Sequence, residues 1–227
     1  LISKQKKVVK DFIKIKLCKN KNVYFYGKNY KINKIYNNKF EFQFGKKKSL
    51  VNIPKLNGLH QIENASVALA FSQIMYQNKL KMNFKKINYA IKQTSWPGRL
   101  EILNFSNKKI ILDGSHNVDG ATKLNQFLKI KEIKPVVIFG MLNNKKIDIF
   151  LHTIKKQIRN LLAVKIPYEK NAFKTDEIGK ICSSLSINYL KIKSIDEVLK
   201  YVKNSNQKVF LVTGSLYLVG KLRTKFL

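Results

Sequence analysis

The chain has 227 residues, of which 44% are hydrophobic, so its length allows one large or two small domains and its composition excludes a disordered polypeptide. Its formal net charge is +32, but only three of its 45 basic residues are arginines, and the lysines are scattered along the whole chain. Because specific nucleic-acid readers favour the planar fork of arginine, this pattern argues against a nucleic-acid reader and predicts only weak, salt-sensitive adhesion to polyanions.

The first 95 residues are expected to form a helix, a small antiparallel β meander and two more helices. Val8, Phe12 and Ile15 have helical spacing, whereas residues 22–55 alternate apolar and polar side chains between glycine turns, as half-buried strands do. The expected elements are a helix within residues 1–16, strands at 23–26, 30–32, 40–44 and 50–53, and helices at 60–79 and 84–93. The apolar face of the helix expected at residues 60–79 should contain Ala65, Ala68, Phe71 and Met75.

Residues 96–99 (WPGR) mark the expected boundary between two domains, because a Pro-Gly pair does not fit inside a helix or a central strand. From residue 100 onwards, strands alternate with helices of about 10–15 residues, a pattern typical of an α/β domain with a doubly wound, mostly parallel sheet. The expected strands are 109–112, 136–140, 161–166, 188–192 and 208–212, and the expected helices are 118–131, 146–159, 175–185, 195–203 and 216–226.

Residues 113–117 (DGSHN) directly follow the apolar strand at 109–112. Open α/β sheets place ligand-contacting groups at the carboxyl ends of their strands. In that interpretation Asp113 accepts hydrogen bonds from a ribose hydroxyl, and His116 and Asn117 face a polar substrate. Alternatively, Asp113 caps the helix that follows and Gly114 makes the turn. The residues alone leave both interpretations open.

Arg99 follows the Pro-Gly break in a chain that otherwise uses lysine almost everywhere. Its planar guanidinium can donate two hydrogen bonds at once to a phosphate, which lysine cannot do. We therefore favour a phosphate contact for Arg99 over the alternative, a salt bridge between the two domains.

Two further segments carry polar residues next to a helix start. At the beginning of the helix at 60–79, His60, Gln61 and Asn64 could face a nucleotide at the positive end of the helix dipole, although the residues alone favour simple capping. Residues 213–215 (TGS) join a strand to a helix, where they suit either an anionic group or an ordinary tight turn. No Walker A loop is recognisable and no metal-binding cluster is present in the sequence, so we expect this chain to contribute no metal ligand.

Cysteine usage and hydropathy predict a cytoplasmic protein with no membrane partner. Cys18 and Cys182 lie far apart without metal-type spacing, which indicates a reducing compartment and ordinary packing roles. The longest clean apolar run, residues 135–142, is much shorter than the ~20 residues that a membrane-spanning helix needs.

Five motifs, taken in order, resemble the folylpolyglutamate synthase / dihydrofolate synthase family of the Mur ligase superfamily. They are residues 56–65 (LNGLHQIENA), 96–101 (WPGRLE), 113–117 (DGSHN), 139–142 (FGML) and 213–218 (TGSLYL). The resemblance implies an α/β fold in which residues 1–95 are the C-terminal part of a central ATP-binding domain. Residues 96–227 would then be a Rossmann-like Mur ligase C-terminal (glutamate ligase) domain with a mostly parallel sheet.

The resemblance also implies an ATP-dependent ligase that adds L-glutamate to dihydropteroate, to (tetrahydro)folate, or to both, through an acyl phosphate. The implied cofactors are ATP and Mg²⁺, and the implied partners are small-molecule substrates. We also expect a monomer that binds no specific nucleic acid, the latter because of the scattered lysines. By position, Asn64, Arg99 and Asp113 correspond to ATP contacts. His116 and Ser215 correspond to residues that line the incoming glutamate.

Two features depart from the family pattern. The family's P-loop, Mg²⁺ ligands and modified lysine belong to sequence upstream of Leu1, so this chain is expected to be a fragment that cannot turn over ATP alone. Lys145 and Lys146 stand where the family usually carries a Lys-Asp pair, so no role is assigned to that aspartate. Two alternatives stay open: another amino-acid ligase of the superfamily with a different acceptor, and a basic nucleic-acid-binding module.

Overall fold

A three-stranded antiparallel sheet forms the centre of Leu1–Ser95, the first of two units in the computed structural model. Over the whole chain the structure describes residues 1–17, 19, 22–77, 80 and 83–227, so Cys18 and the last two residues of the helix predicted at 60–79 lie outside the described residues. The elements of this unit are α1 (Lys7–Lys16), β1 (Tyr30–Ile35), β2 (Lys39–Phe44), β3 (Lys47–Asn52), α2 (His60–Gln77) and α3 (Phe84–Gln93). The strands are paired in sequence order, which confirms the predicted meander.

Alternation along β2 builds the core of this unit, because Phe40 and Phe42 are buried on the same side of the strand. They pack with residues of the neighbouring strands and of α2 and α3, namely Tyr30, Val51, Ile62, Ala65, Leu69, Ala70 and Ile91. The strand predicted at 23–26 is wrong, since only Phe25 and Tyr26 form isolated bridges there. The apolar face predicted for α2 is also partly wrong, because Phe71 is exposed.

The second unit, Trp96–Leu227, is described in full and is centred on a six-stranded sheet. Its strands are β4 (Glu101–Phe105), β5 (Lys108–Leu112), β6 (Val136–Phe139), β7 (Asn160–Val164), β8 (Tyr189–Ile192) and β9 (Val209–Thr213). Its helices are α4 (Val118–Ile130), α5 (Ile147–Ile154), α6 (Thr175–Ser184), α7 (Ile195–Asn204) and α8 (Leu216–Phe226). The strand order is β4-β5-β9-β6-β7-β8, with β4 antiparallel to β5 and all other neighbours parallel.

Neighbouring residues of the parallel strands face two separate hydrophobic layers. Ile111 and Leu211 pack with residues of α4, α5 and α6, whereas Ile110 and Phe210 pack with residues of α7 and α8. Each central strand is therefore buried on both faces, as the apolar runs in the sequence predict. This arrangement confirms an α/β fold with a mixed, mostly parallel sheet covered by helices on both sides.

Two details of the second unit differ from the sequence prediction. The edge strand β4 was not predicted, because its side chains are only partly buried and give a weak apolar pattern. It turns into β5 through Ser106 and Asn107, whose φ angles of 47° and 60° make a tight turn. The helix predicted at 146–159 is shorter, since α5 ends at Ile154 and continues as a 3₁₀ turn over Lys155–Gln157.

Phe150 offers a direct test of the packing against α5. It is fully buried, and its ring centroid lies 5.6 Å from that of Phe139. Phe150→Ala removes a large buried ring and leaves a cavity, so the free energy of unfolding should fall by about 3–5 kcal/mol in denaturant titrations followed by circular dichroism. Ile130→Ala, at the exposed end of α4, should change it by less than about 0.5 kcal/mol. Equal effects of the two substitutions would contradict the described core.

Candidate functional site

The carboxyl ends of β5 and β9 lie side by side, next to the start of β4, and three loops meet there. The backbone N–H of Gly214, after β9, donates to the carbonyl of Ser115, after β5, over 3.0 Å. The N–H of Gly114 donates to the carbonyl of Gly98 over 2.8 Å. The loop at 96–100, the loop at 113–117 and the turn at 213–215 therefore form one continuous edge, where an open α/β sheet places its ligands.

Gly214 lets these loops approach each other closely. Its φ of +98° is rarely adopted by other residues, and a Cβ atom there would lie 2.5 Å from the carbonyl oxygen of Gly140, the residue that follows β6. The sequence therefore has glycine at this position because neither the backbone angle nor the space admits a side chain.

Asp113 holds two of the loops together. It is only 5% exposed, its Oδ2 accepts from the N–H of Leu100 and its Oδ1 accepts from the N–H of Ser115, both over 3.1 Å. Burial raises the pKa of Asp113 above its usual value, against the opposing effects of the hydrogen bonds from Ser115 and Leu100 and of the positive charge on Arg99. The alternative that Asp113 caps α4 is wrong, because the side chain of Asn117 caps this helix.

Arg99 lies between two residues with unusual backbone angles. Gly98 has a φ of +70° and Leu100 a φ of +49°, so the chain changes direction sharply around the arginine. Arg99 itself is half-buried. Within Trp96–Leu227, every residue of which is described, its side chain makes no hydrogen bond or ion pair. An anion contact of Arg99 stays a prediction.

Glu101 and Arg223 form an ion pair behind the same loop. Arg223 Nε donates to Glu101 Oε1 over 3.0 Å and to Oε2 over 2.9 Å, and Oε2 also accepts from the N–H of Gly98 over 2.8 Å. Burial acts to raise the pKa of Glu101, but the hydrogen bonds from Arg223 and Gly98 outweigh it and leave that pKa lowered. Sequence reasoning missed this pair, although the rarity of arginine that singled out Arg99 applies equally to Arg223.

The two predicted glutamate-lining residues lie on the same edge. His116 Nδ1 is 2.9 Å from the carbonyl oxygen of Gly114, and because a carbonyl only accepts, this nitrogen carries the hydrogen and Nε2 is the one left for other contacts. Ser215 is buried, and its Oγ accepts from the N–H of Tyr217 over 3.1 Å, which caps α8. The Ser215 hydroxyl still has its own hydrogen to donate. Contact of either residue with glutamate stays a prediction.

Asn64 belongs to the first unit, where it lies in the first turn of α2. Its Nδ2 donates to Gln61 Oε1 over 3.0 Å, and Gln61 Nε2 lies 3.1 Å from His60 Nε2. The three polar side chains that the sequence singled out therefore form one hydrogen-bonded row. A nucleotide contact of Asn64 stays a prediction.

Two negative findings apply to the described residues alone. They contain no group of three or more His, Cys, Asp or Glu side chains that could hold a metal ion. None of the helices formed by residues that the structure describes combines the length and apolar character needed to cross a membrane.

Glycine substitutions test how tightly the loops are packed. Gly214→Ala should lower the free energy of unfolding by about 1–3 kcal/mol, because the backbone angle is strained and the new methyl group meets the Gly140 carbonyl. Gly220→Ala is the matched control: it lies in α8 with open space around its Cβ position and should raise that free energy by about 0.5–1 kcal/mol. Chemical denaturation of both variants measures the difference. If Gly214→Ala were as stable as Gly220→Ala, the described close approach would be wrong.

Comparison with known proteins places these features in context. Residues 99–225 match the family described as dihydrofolate synthetase, C-terminal domain. A dihydrofolate synthase/folylpolyglutamate synthase of Bacillus subtilis (strain 168) is 25% identical over 175 residues, which cover 75% of this chain and 40% of the relative.

Two solved structures resemble most of this chain. The folylpolyglutamate synthase of Thermotoga maritima matches with a TM-score of 0.75 at 25% identity, covering 98% of this chain and 52% of that one. The bifunctional folylpolyglutamate synthase/dihydrofolate synthase of Yersinia pestis, complexed with AMPPNP and Mn ion, matches with a TM-score of 0.73 at 17% identity, covering 89% and 47%, a likeness of fold alone. The chain thus spans about half, or less, of the length of these relatives.

Proposed function

The chain belongs to the family of dihydrofolate synthetase C-terminal domains, a family of Mur ligases, and from this membership we propose that it forms part of an ATP-dependent ligase. The ligase adds L-glutamate to dihydropteroate, to (tetrahydro)folate, or to both. The observation that carries this proposal is the carboxyl edge of the six-stranded sheet, where Arg99, Asp113, His116 and Ser215 lie on adjoining loops. The activity is proposed for a longer protein, since the chain spans 40% of the Bacillus subtilis relative.

The proposed reaction has two steps. A carboxylate oxygen of the pterin-linked acceptor attacks the γ-phosphorus of ATP, the bond to the β-phosphate oxygen breaks, and an acyl phosphate and ADP form. The deprotonated amine of L-glutamate then attacks the acyl carbon, and inorganic phosphate leaves as the amide bond forms. Charge on the transferred phosphoryl oxygens is the main obstacle in the first step, so positioned cations and hydrogen-bond donors supply most of the catalysis.

Each residue of the site has a role in this proposal. The Arg99 guanidinium donates to the phosphates of ATP. This role is compatible with its lack of a hydrogen-bond or ion-pair partner within the second unit. Asp113 keeps the Arg99 loop in place through Leu100 and accepts from the ribose. Asn64, by its place in the motif at residues 56–65, is a further nucleotide contact in this proposal.

The glutamate site is proposed at the start of α8. The positive end of a helix dipole suits a carboxylate, and the Ser215 hydroxyl hydrogen can be donated to it while the oxygen caps the helix. His116 faces the same edge with Nε2 as its remaining polar atom, so it is a second contact for the amino acid.

The divalent metal of the Yersinia pestis complex has no matching ligand set here. The described residues lack a cluster of carboxylates or imidazoles, so they do not fit a Mg²⁺ site, and no step of the proposed reaction is derived through the metal. We also propose that the protein acts in the cytoplasm as a monomer. It would bind no specific nucleic acid, because its charge is carried by dispersed lysines.

Glutamate incorporation tests the proposed function. The complete protein that contains this chain should add labelled glutamate to dihydropteroate, to tetrahydrofolate, or to both, only when ATP is present, and residues 1–227 alone should release no glutamate-dependent ADP. Incorporation only into a peptidoglycan precursor would overturn the folate assignment. Absence of incorporation into any of these acceptors would overturn the ligase assignment.

Arginine-to-lysine variants test the phosphate contact. In the complete protein, Arg99→Lys should raise KM for ATP by about 10-fold or more, because a hydrogen bond between charged groups contributes about 1.5–3 kcal/mol and lysine cannot reproduce the fork. Arg159→Lys, at an exposed arginine before β7, is the matched control and should change KM less than about twofold. An unchanged KM in Arg99→Lys would remove Arg99 from the nucleotide site.

A further inference from the structure

Two carboxylates hold the backbone on either side of Arg99. Glu101 Oε2 accepts from the N–H of Gly98 over 2.8 Å, and Asp113 Oδ2 accepts from the N–H of Leu100 over 3.1 Å. The Gly98 carbonyl also accepts from the N–H of Gly114 over 2.8 Å. The residues before and after Arg99 are thus fixed, while its own side chain has no partner within the second unit.

The conformation that is fixed in this way is an unfavourable one. Leu100 has a φ of +49°, in the left-handed region that residues with a side chain rarely adopt. Such a conformation persists only where the surroundings determine it. The side chain of Leu100 is buried in the core, and its N–H is held by Asp113. On the other side of Arg99, Glu101 restrains Gly98 through its N–H.

Arg223 fixes Glu101 in the orientation that this restraint needs. It lies in the last turn of α8, 122 residues along the chain, and its Nε donates to both carboxylate oxygens of Glu101. The Glu101 and Arg223 side chains are only 18% and 30% exposed, so solvent screens the pair less than it screens a surface ion pair. Without Arg223, the Glu101 carboxylate could turn towards water and release the N–H of Gly98.

We infer that the ion pair between Glu101 and Arg223 is a positioning device for Arg99, an inference that rests on the proposed function. The pair holds the N–H of Gly98, as Asp113 holds that of Leu100, and thereby fixes the Cα atom from which the Arg99 guanidinium reaches the nucleotide. Glu101 and Arg223 are therefore positioning residues, and neither contacts the nucleotide. Their effect on nucleotide binding passes entirely through Arg99.

A double-mutant cycle tests this inference in the complete protein that contains the chain. The probe is ADP with Mg²⁺, and its Kd is measured by calorimetry for Arg99→Lys, Arg223→Met and the double variant. Arg99→Lys should weaken binding about 10-fold and Arg223→Met about 3- to 10-fold, and the double variant should be within about twofold of Arg99→Lys alone. Lys225→Met, at an exposed lysine of the same helix turn, is the matched control and should leave Kd unchanged.

Two further measurements separate positioning from loss of folding. Amide hydrogen exchange should accelerate at the Gly98 N–H in Arg223→Met, because that hydrogen bond depends on an oriented Glu101. Arg223→Lys keeps the charge and should recover part of the loss in Kd, and it replaces Arg223→Met in the cycle if the latter fails to fold.

The outcomes are distinguishable. If Arg99→Lys weakens ADP binding but Arg223→Met and Arg223→Lys do not, or if the two losses multiply, the positioning inference is overturned and the proposed function stands. If Arg99→Lys itself leaves Kd unchanged, the proposed nucleotide role of Arg99 is overturned, and the inference falls with it. A saturated loss in the double variant supports both.

Discussion

The buried carboxylate of Asp113 is the interaction on which the arrangement of the site depends. It comes directly after β5 and accepts backbone N–H groups from its own loop and from the loop that carries Arg99. Burying a carboxylate costs several kcal/mol, and hydrogen bonds to a charged group return about 1.5–3 kcal/mol each. Such a group is stable only where the donors are already in place. The sheet supplies this condition, because β4 and β5 pair directly and set the distance between the two loops.

The fold leads to the site through the order of its strands. β9 enters the sheet between β5 and β6, so segments far apart in sequence end at the same edge. Short backbone hydrogen bonds then join the loops after these strands, and the close approach at Gly214 leaves no room for a side chain between them. Helix α8 begins directly after this turn with Ser215 as its cap. Its last turn places Arg223 against Glu101, next to the loop of Arg99. The same helix therefore contributes Ser215 at its start and Arg223 at its end.

Local patterns predicted the parts of this structure that depend on burial. The four residues of β6 are all buried, and a short apolar run of this kind is recognisable without knowledge of its neighbours. β4 could not be predicted in the same way, because it lies at the edge of the sheet, where its side chains are only partly buried. The hydrophobic face of α2 was misjudged for a related reason: the position of the meander, and not the helix alone, decides that Leu69 is buried and Phe71 exposed.

The candidate site also contains residues that the sequence indicates and contacts that it does not. Arg99 and Asp113 are recognisable because one follows a Pro-Gly break and the other ends an apolar strand. That Asp113 bonds the N–H of Leu100, and not the start of α4, depends on a left-handed residue that no local pattern indicates. The rarity of arginine marks Arg223 as unusual, but the sequence does not pair it with Glu101, since any of 45 basic residues could have faced that carboxylate. Long-range pairing of this kind is decided by the fold.

A crystal structure of the complete protein with a non-hydrolysable ATP analogue would test the central claim most directly. We expect the Arg99 guanidinium to lie about 2.7–3.2 Å from a phosphate oxygen, with the hydrogen bonds from Leu100 and Ser115 to Asp113 retained. A nucleotide bound with Arg99 turned away from its phosphates, or with Asp113 released from Leu100, would contradict it.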